Sequence, residues 1–176
     1  MIMKLINDEA TILAGFQTTL INARRWVNEA QSILANKYTT ARKEQTVSIT
    51  AADNKTYYPL PADCLGVILV TDSEGYGYKK YRTRGLNIIF EQPGTYNVTY
   101  GICCPNVGIR EDSVPEINAA YHDCLSNHIA ARELETRNPS KALQREQEFY
   151  VKAADANRTL KNMKVKGKRM PAPLWR

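Results

Sequence analysis

The chain of 176 residues has no apolar run near the roughly 18 residues that a membrane-spanning helix needs. The opening residues Met1 to Ile6 lack the continuous apolar stretch and small-residue cleavage site of a secretory leader, so a protein made and used in a cytoplasm is expected. Cysteine is scarce: Cys64, Cys103, Cys104 and Cys124 form neither a dense disulfide framework nor a CxxC metal spacing, which favours reduced, mostly buried thiols. Histidine is scarcer still, with only His122 and His128 available as bases. There is no G-x-S-x-G elbow and no cysteine in a recognisable protease context. The segment Gly75 to Gly77 is too short for a dinucleotide fingerprint and leads into a strand-like stretch, not a phosphate-binding helix. Together these absences argue against an enzyme and against a bound cofactor.

What is present is an ordinary globular composition, 43% hydrophobic and 24% charged, long enough to bury one sizeable core. The net charge of +6 is unevenly placed. Lys161, Lys164, Lys166, Lys168, Arg169 and Arg176 face no acidic residue from position 161 onward, and without them the 18 remaining cations balance the 18 acids. The body is neutral and the basicity belongs to the tail.

From Asp8 to Tyr38, Ile12, Leu13, Phe16, Leu20, Trp26, Ala30, Ile33 and Leu34 recur at intervals of three and four. That spacing predicts one long amphipathic helix or two joined near Asn22, with Asn7 or Asp8 as the cap. Beyond Thr46 the period becomes two. Val47 and Ile49, a turn at Asp53 to Lys55 and the extended Tyr57 to Pro61 predict a β-hairpin. Strands are then expected at Gly66 to Thr71, Tyr78 to Thr83, Leu86 to Glu91 and Thr95 to Cys103. They complete one antiparallel sheet of about four to six strands over residues 44–104.

After Gly108 helical spacing returns. Ser113, Pro115 and Glu116 have the arrangement of a capping box, and Ile117, Ala120, Tyr121, Cys124, Leu125, His128, Ile129 and Leu134 mark one broad face. Pro139 can open a last helix, with Leu143, Gln147, Tyr150, Val151, Ala154 and Leu160 in register to about Met163. Helices and strands are segregated along the chain, which argues α+β.

His122, Cys124 and His128 are the one tempting cluster, since positions 124 and 128 lie a helical turn apart. A structural zinc site wants four ligands, and the adjacent Cys103 and Cys104 point to opposite faces of a strand. Burial of Cys124 and His128 on the inner side of their helix is the expected arrangement, with no metal.

Two basic features remain. Along Lys79 to Arg84, Lys79, Tyr81 and Thr83 share one strand face while Lys80, Arg82 and Arg84 share the other. Such cations can meet phosphates, as in a small nucleic-acid-binding regulator that uses this strand and the basic tail, or can guard an edge strand from aggregation. In the tail, Lys164, Lys166, Lys168, Arg169 and Arg176 are interleaved with Met170, Pro171, Pro173, Leu174 and Trp175. The prolines forbid a continuing helix and the Leu174–Trp175 pair has no core of its own to enter. An extended arm over residues 164–176 that docks on a partner explains both the charge and the apolar end.

The run Tyr57 to Leu65, the hydrophobic strand Gly66 to Val70, and the strand Tyr96 to Tyr100 before a loop and two C-terminal helices resemble the head-to-tail adaptors of short-tailed bacteriophages. The resemblance spans roughly residues 8–163. It implies a helical bundle built from N- and C-terminal helices with an inserted antiparallel β region. It further implies a structural virion protein of the head–tail junction: a ring of copies, twelve by analogy, beneath the portal protein, with packaged DNA passing through and a downstream tail protein bound below. By the same resemblance the C-terminal arm reaches the portal. The expected organisation is thus an adaptor domain over residues 1–163 (helices at 8–38, β region at 44–104, helices at 114–163) followed by the arm.

Overall fold

The computed structural model describes residues 2–108 and 110–167. It is α+β and divides into two compact units, one built from the chain before Arg42 and after Cys103, the other from Arg42–Cys103.

Among the described residues the first unit holds four α-helices: α1 (Met3–Ala14), α2 (Leu20–Lys37), α3 (His122–Leu134) and α4 (Pro139–Gly167). The N-terminal helical span is two helices, and its break lies at residues 15–19, not at Asn22. Gly15 adopts a left-handed φ of 85°, and its N–H returns to the Thr11 carbonyl at 2.9 Å, closing α1 with the residue type that such a cap favours. Thr19 caps α2, its side chain accepting from the Asn22 N–H.

Asn7 and Asp8 cap nothing, because α1 already begins at Met3. Asn7 is buried within the helix, and its Nδ2 donates to the Thr18 carbonyl, tying the α1–α2 turn. The first amides of α1 find partners far along the chain: Met3 N–H donates to the Ser113 carbonyl at 2.8 Å and Lys4 N–H to the Glu111 carbonyl at 3.0 Å. The segment 111–118 is therefore not the predicted capping box. Helix formation waits for Asn118, whose side chain accepts from Ala120 N–H at 3.0 Å and opens a short 3-10 turn into α3.

Pro139 opens α4 as predicted, with Asn138 Oδ1 accepting from Lys141 N–H at 3.1 Å. The helix continues to Gly167, so the backbone at Lys164 and Lys166 is helical and not extended. All four helices contribute to one core that includes Met3, Ile6, Val27, Leu34, Leu125 and Phe149.

The second unit holds six strands: β1 (Lys43–Ala51), β2 (Tyr58–Pro59), β3 (Gly66–Asp72), β4 (Tyr81–Arg84), β5 (Asn87–Phe90) and β6 (Gly94–Ile102). They form not one sheet but two antiparallel ones, ordered β1-β6-β3 and β2-β5-β4. The predicted β1–β2 hairpin does not exist. The Asp53 turn is real, with its carboxylate accepting from Lys55 and Thr56 N–H, but β1 pairs along its whole length with β6. β2, short and proline-bearing, takes a two-residue place beside β5. Tyr96, Val98 and Tyr100 share the inner face of β6 and are buried, as their alternation predicts. Rings from both sheets meet there, Phe90 stacking on Tyr96 at 4.2 Å and Tyr78 tilting against Tyr96 at 4.5 Å.

Candidate functional site

The His122, Cys124 and His128 side chains are all buried on α3. Cys124 Sγ donates to the Tyr121 carbonyl at 2.9 Å, and burial pushes its thiol up to about 12, so no thiolate nucleophile is held there at neutral pH. His122 Nε2 lies 3.1 Å from the Ile117 carbonyl, and burial lowers its pKa. His128 packs against Phe149 at 4.9 Å between ring centroids, and burial lowers its pKa to about 4. Its Nε2 stands 3.7 Å from a Glu29 carboxylate oxygen that is itself held by Arg132. Among the described residues no group of three or more His, Cys, Asp or Glu is placed to hold a metal. The cluster packs α3 against α2 and α4, the inner-side placement its spacing suggested.

The basic segment is only partly a strand. Tyr78 N–H donates to the Val70 carbonyl at 2.8 Å, so the chain is still bound to β3 at that point; the Lys80 carbonyl then accepts from Glu91 N–H at 3.0 Å, and the ladder with β5 begins at Tyr81. Lys79 and Lys80 lie on this crossover. Lys80, Arg82 and Arg84 are all exposed, Lys80 just before β4 and the two arginines on it, with Arg82 at 3.9 Å from Glu91.

Of the docking-arm residues, Lys164 and Lys166 fall on the last turns of α4, while Lys168, Arg169, Met170, Pro171, Pro173, Leu174, Trp175 and Arg176 lie outside the described residues.

Surfaces that sequence periodicity assigned to the core also emerge. Leu143 and Val151 of α4 are 57% and 62% exposed, and Ile12 of α1 is 79% exposed. Positions 143 and 151 are separated by eight residues, a little over two helical turns, and so share one outer face. Positions 5 and 12 of α1, both apolar and exposed, do the same. In the β unit the outer face of β1-β6-β3 carries Thr46, Ser48 and Thr50 opposite Thr99, Asn97 and Thr95, a hydroxyl- and amide-rich surface without lysine or arginine at those positions. These cross-strand pairs were not visible before strand pairing was known, since they depend on non-local register.

Residues 2–101, more than half of the chain, match the family model described as SU10 adaptor protein. The matched span covers α1, α2 and nearly all of the β unit. No curated protein matches the chain.

Proposed function

The chain belongs to the SU10 adaptor protein family, a family of structural adaptors of phage particles, and on that premise we propose that it forms the ring joining the portal to the tail. In this reading copies of the chain, twelve by analogy, close head to tail beneath the portal protein, prolong the DNA channel and present a platform for the next tail protein. Residues 164–176 reach the portal, the cations pairing with its acids while Leu174 and Trp175 supply buried anchors.

The single observation that carries the proposal is the family match over residues 2–101. Large apolar side chains on the outer faces of α1 and α4 support it, because a helix with apolar residues on two faces has more to bury than one core accommodates. A near-neutral body with exposed hydroxyl and amide groups on the β1-β6-β3 sheet also suits a channel through which DNA slides without being gripped.

The test is co-purification with the portal protein of the same phage, using the full chain and a chain ended after Gly167, which leaves α4 complete, followed by mass measurement. A stoichiometric multimeric complex with the full chain, lost on truncation, is expected. Failure of the full chain to associate with the portal, with salt-sensitive binding to free DNA instead, would replace the adaptor reading with that of a nucleic-acid-binding regulator.

A further inference from the structure

A ring requires each subunit to carry two different, mutually complementary patches. The two units of this chain offer such a pair.

The first patch is the loop before α3. Pro115 and Ile117 are buried, and the carbonyls of Glu111 and Ser113 are held by the first amides of α1. With both flanks fixed, Val114 is left 52% exposed between Asp112 and Glu116, and Glu111 is exposed beside them. Arg110 pairs with Asp112 at 3.1 Å, so the loop keeps a net negative charge. An apolar side chain presented on a pinned, acidic, non-helical loop is a preformed knob.

The second patch is a hollow of about 470 Å³ in the β unit, walled by Ile68, Leu69, Val70, Tyr78 and Tyr81 with Lys79 at its rim. It arises where β3 slips register against β6 between Val67 and Leu69 and where the 78–80 crossover leaves β3 for the other sheet. Leu69 is 49% exposed in it. Lys79 is the one charged residue of its wall, with Lys80 exposed next to it. The hollow is thus apolar with a cationic border, and the knob is apolar with an anionic border.

We infer that, in the ring, the Glu111–Glu116 loop of one copy seats on the hollow that β3 and Lys79 form in the next, with Val114 entering between Leu69 and Tyr78 and the acids facing Lys79 and Lys80. The inference rests on the ring reading and names the contact that closes it. The two patches differ in shape and sign, and a contact of this kind repeated from each copy to the next is the heterologous contact that a ring requires.

The test uses full-length protein with the portal, read by the mass of the complex. Lys79→Glu with Lys80→Glu is expected to reduce the assembled fraction on the order of tenfold or more, two opposing pairs having become like-charge contacts repeated around the ring. Adding Glu111→Lys and Asp112→Lys to the same chain restores assembly, an outcome that misfolding of either surface cannot produce. Val114→Asp, at an exposed position, is expected to abolish assembly without altering the helical circular dichroism of the free chain. The inference is overturned if the charge-reversed chain assembles as well as the original, if the reciprocal reversal fails to rescue it, or if Val114→Asp assembles normally. If the unaltered chain forms no multimer on the portal, the adaptor reading fails first.

Discussion

His128 makes the stability of the helical unit depend on pH in a way that can be worked out in advance. Both ring nitrogens are buried and have no hydrogen-bond partner among the described residues, and the ring lies against Phe149. Burial disfavours the imidazolium, Glu29 from α2 favours it and Arg132 on α3 opposes it; the net effect lowers the pKa from 6.5 to about 4. Glu135 and Glu146 line the same hollow as His128 without reversing this outcome. Because the folded pKa is depressed, the unfolded chain takes up the proton first. The stability linked to this group is complete above pH 6.5 and is lost as pH falls toward 4.

Each tenfold difference in proton affinity between the folded and unfolded chain is worth about 1.4 kcal/mol, so the whole effect is about 3 kcal/mol, of which about 2 kcal/mol is already lost at about pH 5. Urea unfolding followed by helical circular dichroism at about pH 7.5 and about pH 5, on the original chain and on His128→Gln, isolates it. His122 is the same in both proteins, so its contribution drops out of the difference. The original chain should lose about 2 kcal/mol more than the variant across that interval. Equal losses would refute the assignment of a buried, neutral imidazole.

Two further outcomes follow from packing. Phe149, fully buried between His128 and Tyr150, leaves a cavity when cut to alanine; Phe149→Ala should cost about 3–5 kcal/mol in the same urea assay, against less than about 1.5 kcal/mol for a change that conserves its volume more closely, such as Phe149→Met. Gly101→Ala places a methyl group 2.6 Å from Arg42 Cδ and 3.0 Å from its Cβ, so Arg42 must shift and weaken its bond to the Leu65 carbonyl. A loss of about 1–3 kcal/mol is expected, read from the unfolding midpoint of the β unit.

The order of helices and strands was legible because its signals are local. Gln92 to Gly94 turns the chain between β5 and β6, Asn138 and Pro139 start α4, and alternation along Tyr96 to Tyr100 fixes the inner face of β6. Pairing was not legible, because β1 and β6 lie far apart in sequence and nothing in either names the other. The hairpin reading failed for that reason: proximity made β2 the obvious partner, whereas β6 offers nine residues of ladder and β2 only two. The caps misled likewise. Asn7 and Ser113 have the residue types that open helices, yet tertiary hydrogen bonds to Thr18 and Met3 decide their roles.

The largest misreading, the inner faces of α1 and α4, bears on function. Hydrophobic periodicity gives weight to large side chains, so it selected Ile12, Leu143 and Val151 as core. The structure instead buries Ala10, Ala23, Ala130, Ala153 and Ala156 between its helices, beside the expected Ala30, and turns those larger residues outward. Alanine at helix contacts lets backbones approach closely and costs little side-chain entropy on packing. With those alanines packed beside larger core residues such as Leu125 and Phe149, the helices leave Ile12, Leu143 and Val151 on the outer surface. For a free monomer that arrangement is a solubility liability; for a subunit whose outer faces are covered by neighbouring copies it is the arrangement that assembly requires. Replacing Leu143 and Val151 together by glutamate should therefore leave the unfolding free energy of the free chain within about 1 kcal/mol of the original, while weakening the portal-bound multimer. A large loss of monomer stability would mean that this face belongs to the fold and not to the assembly.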